Sequence, residues 1–164
     1  MSDHWFVLNA RDATWEDSPF GFFCNWEGED RFPQLGINVS VLGKGQALGR
    51  YHLEPGHQED FLVLRGRCVA IVDEQEREMG AWDLLHCPPG VAHMIVGAGE
   101  EPAVVISVGT RGDGSGVERG VTYPVSEVAR RYGVSVSHET NEPAEAYADV
   151  EPPKPIAYGG WLDA

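Results

Sequence analysis

Short apolar runs of about five residues, separated by glycine, proline and acidic turns, limit this chain more than any other feature of its sequence. Leu35, Ile37, Val39 and Val41 alternate with Gly36, Asn38 and Ser40, the period of a half-buried strand. Phe61–Leu64 and Cys68–Val72 follow, parted by Arg65-Gly66-Arg67, and a polar turn over Asp73–Glu76 comes next. Trp82–Cys87, His93–Val96 and Ala103–Val108 complete the series. Strands this short, with turns this dense, predict an antiparallel barrel or sandwich over residues 35–110. Both parities of Phe61–Leu64 are apolar, so each face of that strand needs cover from a second sheet, the C-terminal segment or another subunit.

The 164 residues suffice for one domain with one core, and no internal repeat suggests a second barrel. The expected organisation is a single domain over 1–164, with a barrel core at 35–110 and a glycine-rich connection and C-terminal extension at 111–164. Gly112, Gly114, Gly116 and Gly120 follow Gly109 closely, but no Gly-x-Gly-x-x-Gly opens a helix there, so a flexible connection is expected and not a phosphate loop. The extension predicts two short helices. One spans Pro124–Tyr132 with Gly133 as C-cap, and the other Pro143–Ala148 with Thr140 or Asn141 as cap. Glu151–Pro155 reads as extended, and Trp161 as docking on the barrel.

Several functions are disfavoured. Twelve basic against 26 acidic side chains give a net charge of −14, which repels phosphate backbones, so nucleic acid is not an expected partner. No apolar run reaches the ~20 residues that span a bilayer. The start, Met1-Ser2-Asp3-His4-Trp5, has no basic and apolar signal pattern, so a cytoplasmic location is expected. Cys24, Cys68 and Cys87 have no paired spacing and read as small buried thiols.

The chemistry concentrates in residues 51–66 and 80–97. On a strand, His52 and Glu54 share a face. Beyond the Pro55-Gly56 turn, Glu59 shares a face with Phe61 and Val63, so a hairpin can gather His52, Glu54 and Glu59. His93 follows the rigid Pro88-Pro89-Gly90 turn, with Ile95 on its face. His57 has the parity of Glu59 and is the alternative donor. His86 is expected to pack against Trp82 or to hydrogen-bond nearby, Tyr51 to face away from the site, and His4 and His138 to lie in solvent.

These two segments resemble the cupin superfamily. His52, Glu54, four residues, Glu59, six residues and Gly66 follow its first motif, with Glu54 where a second histidine usually stands. Gly80, Pro88, Gly90 and His93 follow the second motif, with Gly97 in place of its final asparagine. The resemblance covers residues 35–110 and is greatest to small single-barrel bacterial cupins. It implies an all-β fold, a single antiparallel jelly-roll barrel with a short helical C-terminal extension. It also implies one divalent metal ion, Fe, Mn, Ni or Zn, on His52, Glu54, Glu59 and His93, with Glu54 or His57 as the fourth donor. Two histidines and a carboxylate suit such metals and leave coordination positions open.

Three functions fit this reading. One is a metal-dependent oxygenase, isomerase or lyase acting on a small organic molecule. Another is a binding module for a small ligand. The third is a structural barrel whose site has decayed, if Glu54 and Gly97 mark decay. A homodimer is expected, and the catalytic residues are not identifiable from sequence.

Overall fold

The computed structural model describes residues 5–27, 32–111 and 120–163. Among the described residues, ten strands and two short helices are formed: β1 (Trp15–Ser18), β2 (Gly21–Cys24), β3 (Leu35–Leu42), β4 (Glu59–Arg65), β5 (Cys68–Val72), β6 (Gln75–Met79), β7 (Leu84–Cys87), β8 (His93–Gly97), β9 (Ala103–Thr110), α1 (Glu127–Arg131), α2 (Pro143–Ala146) and β10 (Lys154–Ile156). A seven-stranded sheet runs β10-β1-β2-β3-β9-β4-β7 and faces a three-stranded sheet, β6-β5-β8. All the strand pairings are antiparallel, and the two sheets enclose a jelly-roll barrel.

Strand parity sorts the side chains into three layers. Leu42, Phe61, Val63, Cys68, Ala70, Ile95, Ala103 and Val105 fill the space between the sheets. The outer face of the small sheet, including Ile71, Met94 and Val96, is covered by α1 and Val134. The outer face of the large sheet carries Val39, Val41 and Val104. It is covered by the chain's own ends, through Trp15, Trp26, Tyr158 and Trp161. Trp161 stacks on Phe22 at 4.4 Å between ring centroids and meets Trp15 edge-on at 5.3 Å. The second apolar face of β4 is thereby explained in part: Leu64 packs into this terminal layer.

The apolar parity of β3 therefore faces outward, and Asn38 and Ser40 face the barrel interior beside Ser107 and Val105 of β9. The terminal segments also add strands that sequence patterning did not anticipate. β1 and β2 extend the large sheet, and β10 pairs with β1 through Trp15 and Ile156.

Other boundaries shift for local reasons. The turn expected over Asp73–Glu76 contracts to Asp73 and Glu74, both at positive φ (43° and 62°), and Gln75 already begins β6. Trp82, at φ 74°, belongs to a turn and is exposed, so the strand expected from it begins at Leu84. Helix α1 is shorter than expected: Ser126 is its N-cap, accepting from the Ala129 amide at 2.9 Å, and Gly133 at φ 71° ends it. Glu142, not Thr140 or Asn141, occupies the N-cap position of α2, while Thr140 Oγ1 accepts from the Glu142 amide at 3.1 Å. The three cysteines are free and buried. The glycine-rich connection falls on residues 112–119 and His4 on the first four residues, both outside the described residues.

Candidate metal centre

Two histidines and one carboxylate converge inside the barrel. The donor atoms of His52, Glu59 and His93 lie within 4.8 Å of one another, and they are the group that does so among the described residues. Each arrives from a different segment. His93 opens β8 after the Pro88-Pro89-Gly90 turn, where Gly90 at φ 83° reverses the chain and its amide donates to the Glu54 carbonyl at 2.9 Å. His52 pairs with His93 in an antiparallel bridge: His93 N–H donates to the His52 carbonyl at 2.8 Å. Glu59 opens β4 in the opposite sheet. Glu59 does not meet His52 across a hairpin, as the sequence suggested. The centre is closed across the barrel, with histidines from one side and carboxylate from the other.

Hydrogen bonds fix both imidazoles. His52 Nδ1 donates to the Arg50 carbonyl at 2.8 Å, and His93 Nδ1 donates to the Val91 carbonyl at 2.9 Å. A carbonyl oxygen only accepts, so each Nδ1 carries a proton and each Nε2 points its remaining valence at the centre. The Nε2 atoms lie 3.4 Å (His52) and 2.9 Å (His93) from Glu59 Oε2. Burial would raise the Glu59 pKa, but hydrogen bonds and charge from His52 and His93 outweigh it and hold the carboxyl at about 2. Burial opposes a charge on His52 as well, but Glu59 overcomes it and raises the imidazole above its ordinary value. Glu59 is thus an anion at neutral pH, as a ligand to a divalent cation must be.

Gly109 stands directly opposite Glu59, where an added Cβ would lie 3.3 Å from Oε1. The missing side chain leaves the carboxylate its room. Gly97 has a comparable local cause. A Cβ there would meet the Gly43 carbonyl oxygen at 2.4 Å, so close backbone packing requires glycine and its departure from the motif is not a mark of decay.

Glu54 and His57 do not join the centre. They pair with each other, His57 Nδ1 to Glu54 Oε2, at 3.1 Å. Bridge pairing stops at Leu53, just before the Pro55-Gly56 turn, so strand parity governs neither side chain. Glu54 still lies near enough for its charge to favour protonated His52. His86 pairs with Asp60 at 2.6 Å, His138 is exposed, and Tyr51 packs on the far side under Ile71.

The centre opens on a cavity of about 570 Å³, within the range of small-molecule sites. Phe20, Phe23, Phe61 and Tyr147 supply rings, and Asn38, Ser40 and Ser107 supply small polar groups. Val150 and Glu151-Pro152-Pro153 border it. Asn38 and Ser40 were visible as the polar parity of β3, but a half-buried strand would turn that parity to solvent, and their place in the cavity was not legible. Phe20, Tyr147 and the 150–153 strap belong to terminal segments with no motif to mark them.

The sequence profile of the cupin domain matches residues 38–109, the span that carries all three converging side chains. Residues 38–109 form a cupin domain. Solved structures agree. A protein from Silicibacter pomeroyi, described as a sugar phosphate isomerase from a cupin superfamily, is 25% identical, with TM-score 0.51 over 74% of this chain and 71% of that one. An RmlC-like cupin from Shewanella frigidimarina is 20% identical, with TM-score 0.55 over 71% and 97%. KdgF from a Halomonas species is 17% identical, with TM-score 0.56 over 67% and 97%. The last two likenesses speak for the cupin fold alone. No curated protein matches the chain. No helix among the described residues is long and apolar enough to cross a membrane.

Proposed function

We propose that this cupin holds one divalent metal ion on His52, Glu59 and His93 and acts on a small organic molecule bound in the adjoining cavity. The observation that carries the reading is the convergence of two oriented Nε2 atoms and one ionised carboxylate at the floor of an accessible interior cavity. Burying ionisable groups costs folding energy that their mutual pairing offsets, and clusters of this kind concentrate at functional sites. The donor set fits Fe(II), Mn(II), Ni(II) or Zn(II). When bound, the ion supplies a Lewis acid that polarises a substrate oxygen.

The chain's own residues do the rest. The Arg50 and Val91 carbonyls keep the imidazoles aimed, and Phe61, 5.2 Å from the His93 ring, walls the centre from one side. Glu54 stands outside the donor set beside His57, so either water or substrate completes the shell. The likeness to a protein described as a sugar phosphate isomerase supports isomerase-type chemistry over simple storage of a ligand. Non-catalytic ligand binding is the alternative.

Titration of Mn(II) into chelator-treated protein tests the proposal: one saturable site per chain is expected, and absence of saturable binding overturns it. We further propose a homodimer, supported by Leu84 (64% exposed) on β7, an edge strand of the large sheet, and by Trp82 (75% exposed) in the turn before it. Light scattering at micromolar concentration checks it.

A further inference from the structure

The wall of the cavity restricts the ligand's charge. Among the described residues that line it, Glu59 and Glu151 are the acidic groups, and neither lysine nor arginine is present. Arg50 and Arg111 are committed elsewhere. Arg50 is 9% exposed and donates to the Gly133 and Ala146 carbonyls and to Asp149. Arg111 is held by Glu27 and the Phe32 carbonyl. Neither lines the cavity.

A phosphate carries nearly two negative charges at neutral pH, and its recognition uses arginine, lysine or a run of backbone amides. Burying it in this cavity away from the metal would remove it from water with no lysine or arginine to replace the hydration. The chain's net charge of −14 adds to the cost. A carboxylate remote from the metal meets the same obstacle.

What the wall does offer is neutral. Ser107 stands beside Asn38 and Phe61 on the inner face, one inward position along β9 from Gly109, the partner of Glu59. Ser40 is one inward position further along β3, beside Phe23. Among the described residues, the side chains of Asn38, Ser40 and Ser107 have no hydrogen-bond partner. Their amide and hydroxyls form a polar track leading away from the metal centre, Asn38 and Ser107 side by side and Ser40 about 6.8 Å further along β3. Phe20, Phe23, Phe61 and Tyr147 flank the track with ring surface.

Resting on the metal-centre reading above, we infer that the ligand is uncharged away from the metal: a cyclic, largely apolar molecule with hydroxyl or carbonyl oxygens, and not a phosphorylated or carboxylated one. Its metal-bound oxygens meet the ion, its body lies against the rings, and further neutral oxygens meet Ser107, Asn38 and Ser40.

A matched pair of probes tests this on the full chain loaded with Mn(II), without oxygen, its metal content verified in the same sample. 4-Methylcatechol and 3,4-dihydroxybenzoate share the metal-binding diol and differ in a remote neutral methyl against a remote carboxylate. Calorimetry should show the neutral probe binding at least about tenfold tighter, and glucose 6-phosphate not binding at millimolar concentration. Equal or tighter binding of either anion overturns the inference, and so does failure of all three to bind the metal-loaded protein. A sample that takes up no metal overturns the metal-centre reading instead. Ser107→Arg places a cation on the track and should bring the preference below about threefold. Ser40→Lys serves if that variant does not fold. An unchanged preference in the folded variant shows that the ligand does not lie along this wall.

Discussion

The two ends of the barrel interior are built from the same strands and have different tasks. At one end Val63 of β4, Val105 of β9, Cys68 and Ala70 of β5 and Leu42 of β3 close into a dry apolar cluster, most of them fully buried. At the other end the same β4 and β9 present Glu59 and Ser107, β3 presents Asn38, and the sheets stand apart around a cavity. Along β4 one inward residue, Phe61, lies between Glu59 at the open end and Val63 of the core. The comparison teaches that stability and chemistry occupy different rows of one sheet, so substitutions at the two ends should have different consequences.

The largest effect on folding belongs to the dry end. Leu42→Ala should cost about 2–5 kcal/mol of stability, because its neighbours relax only partly into the space left. The folded fraction should bind metal as the parent does. Urea denaturation with parallel metal analysis checks both, and a loss of metal from folded protein would break the separation. Trp161→Ala tests the outer cover and should cost less, about 1–2 kcal/mol, because the ring is only partly buried against Phe22 and Trp15. A null result would mean the terminal layer is dispensable.

At the open end, Glu54→Gln should leave metal affinity within about threefold, since Glu54 faces His57 and not the centre. Isothermal titration decides it, and a loss beyond tenfold would return Glu54 to the donor set. The smallest effect is chemical. Burial raises the thiol of Cys68 to about 11 and, with help from Glu59, that of Cys87 to about 12, and Cys24 is raised as well. Iodoacetamide at pH 8 should therefore modify none of them until the protein unfolds, as mass spectrometry would show.

The sequence was most legible where period and spacing act together. Alternation in β3 and the motif spacing that ties His52, Glu59 and His93 to their turns both survive in the structure. Two kinds of feature were not legible. Glu54 was assigned by strand parity, which stops at a turn, and the pairing with His57 depends on the path of Pro55-Gly56. The polar strand β6 and the terminal strands β1, β2 and β10 depend on partners distant in sequence, as in the pairing of Trp15 with Ile156. Apolar patterning carries no record of such pairing. The layer around Leu64 was legible in part: Trp161 was expected to dock on the barrel and does, while nothing in the sequence marked Trp26 for the same layer.

The most direct test of the account is metal stoichiometry in His93→Ala against the parent, both purified without a histidine tag and analysed by elemental mass spectrometry. His93 is 3% exposed and supplies one of three converging donors, while the apolar cluster at the other end sustains the fold. The account predicts one divalent metal per parent chain, and a folded His93→Ala variant whose affinity has fallen by at least about a hundredfold. A folded variant with the parent's full metal occupancy would contradict it.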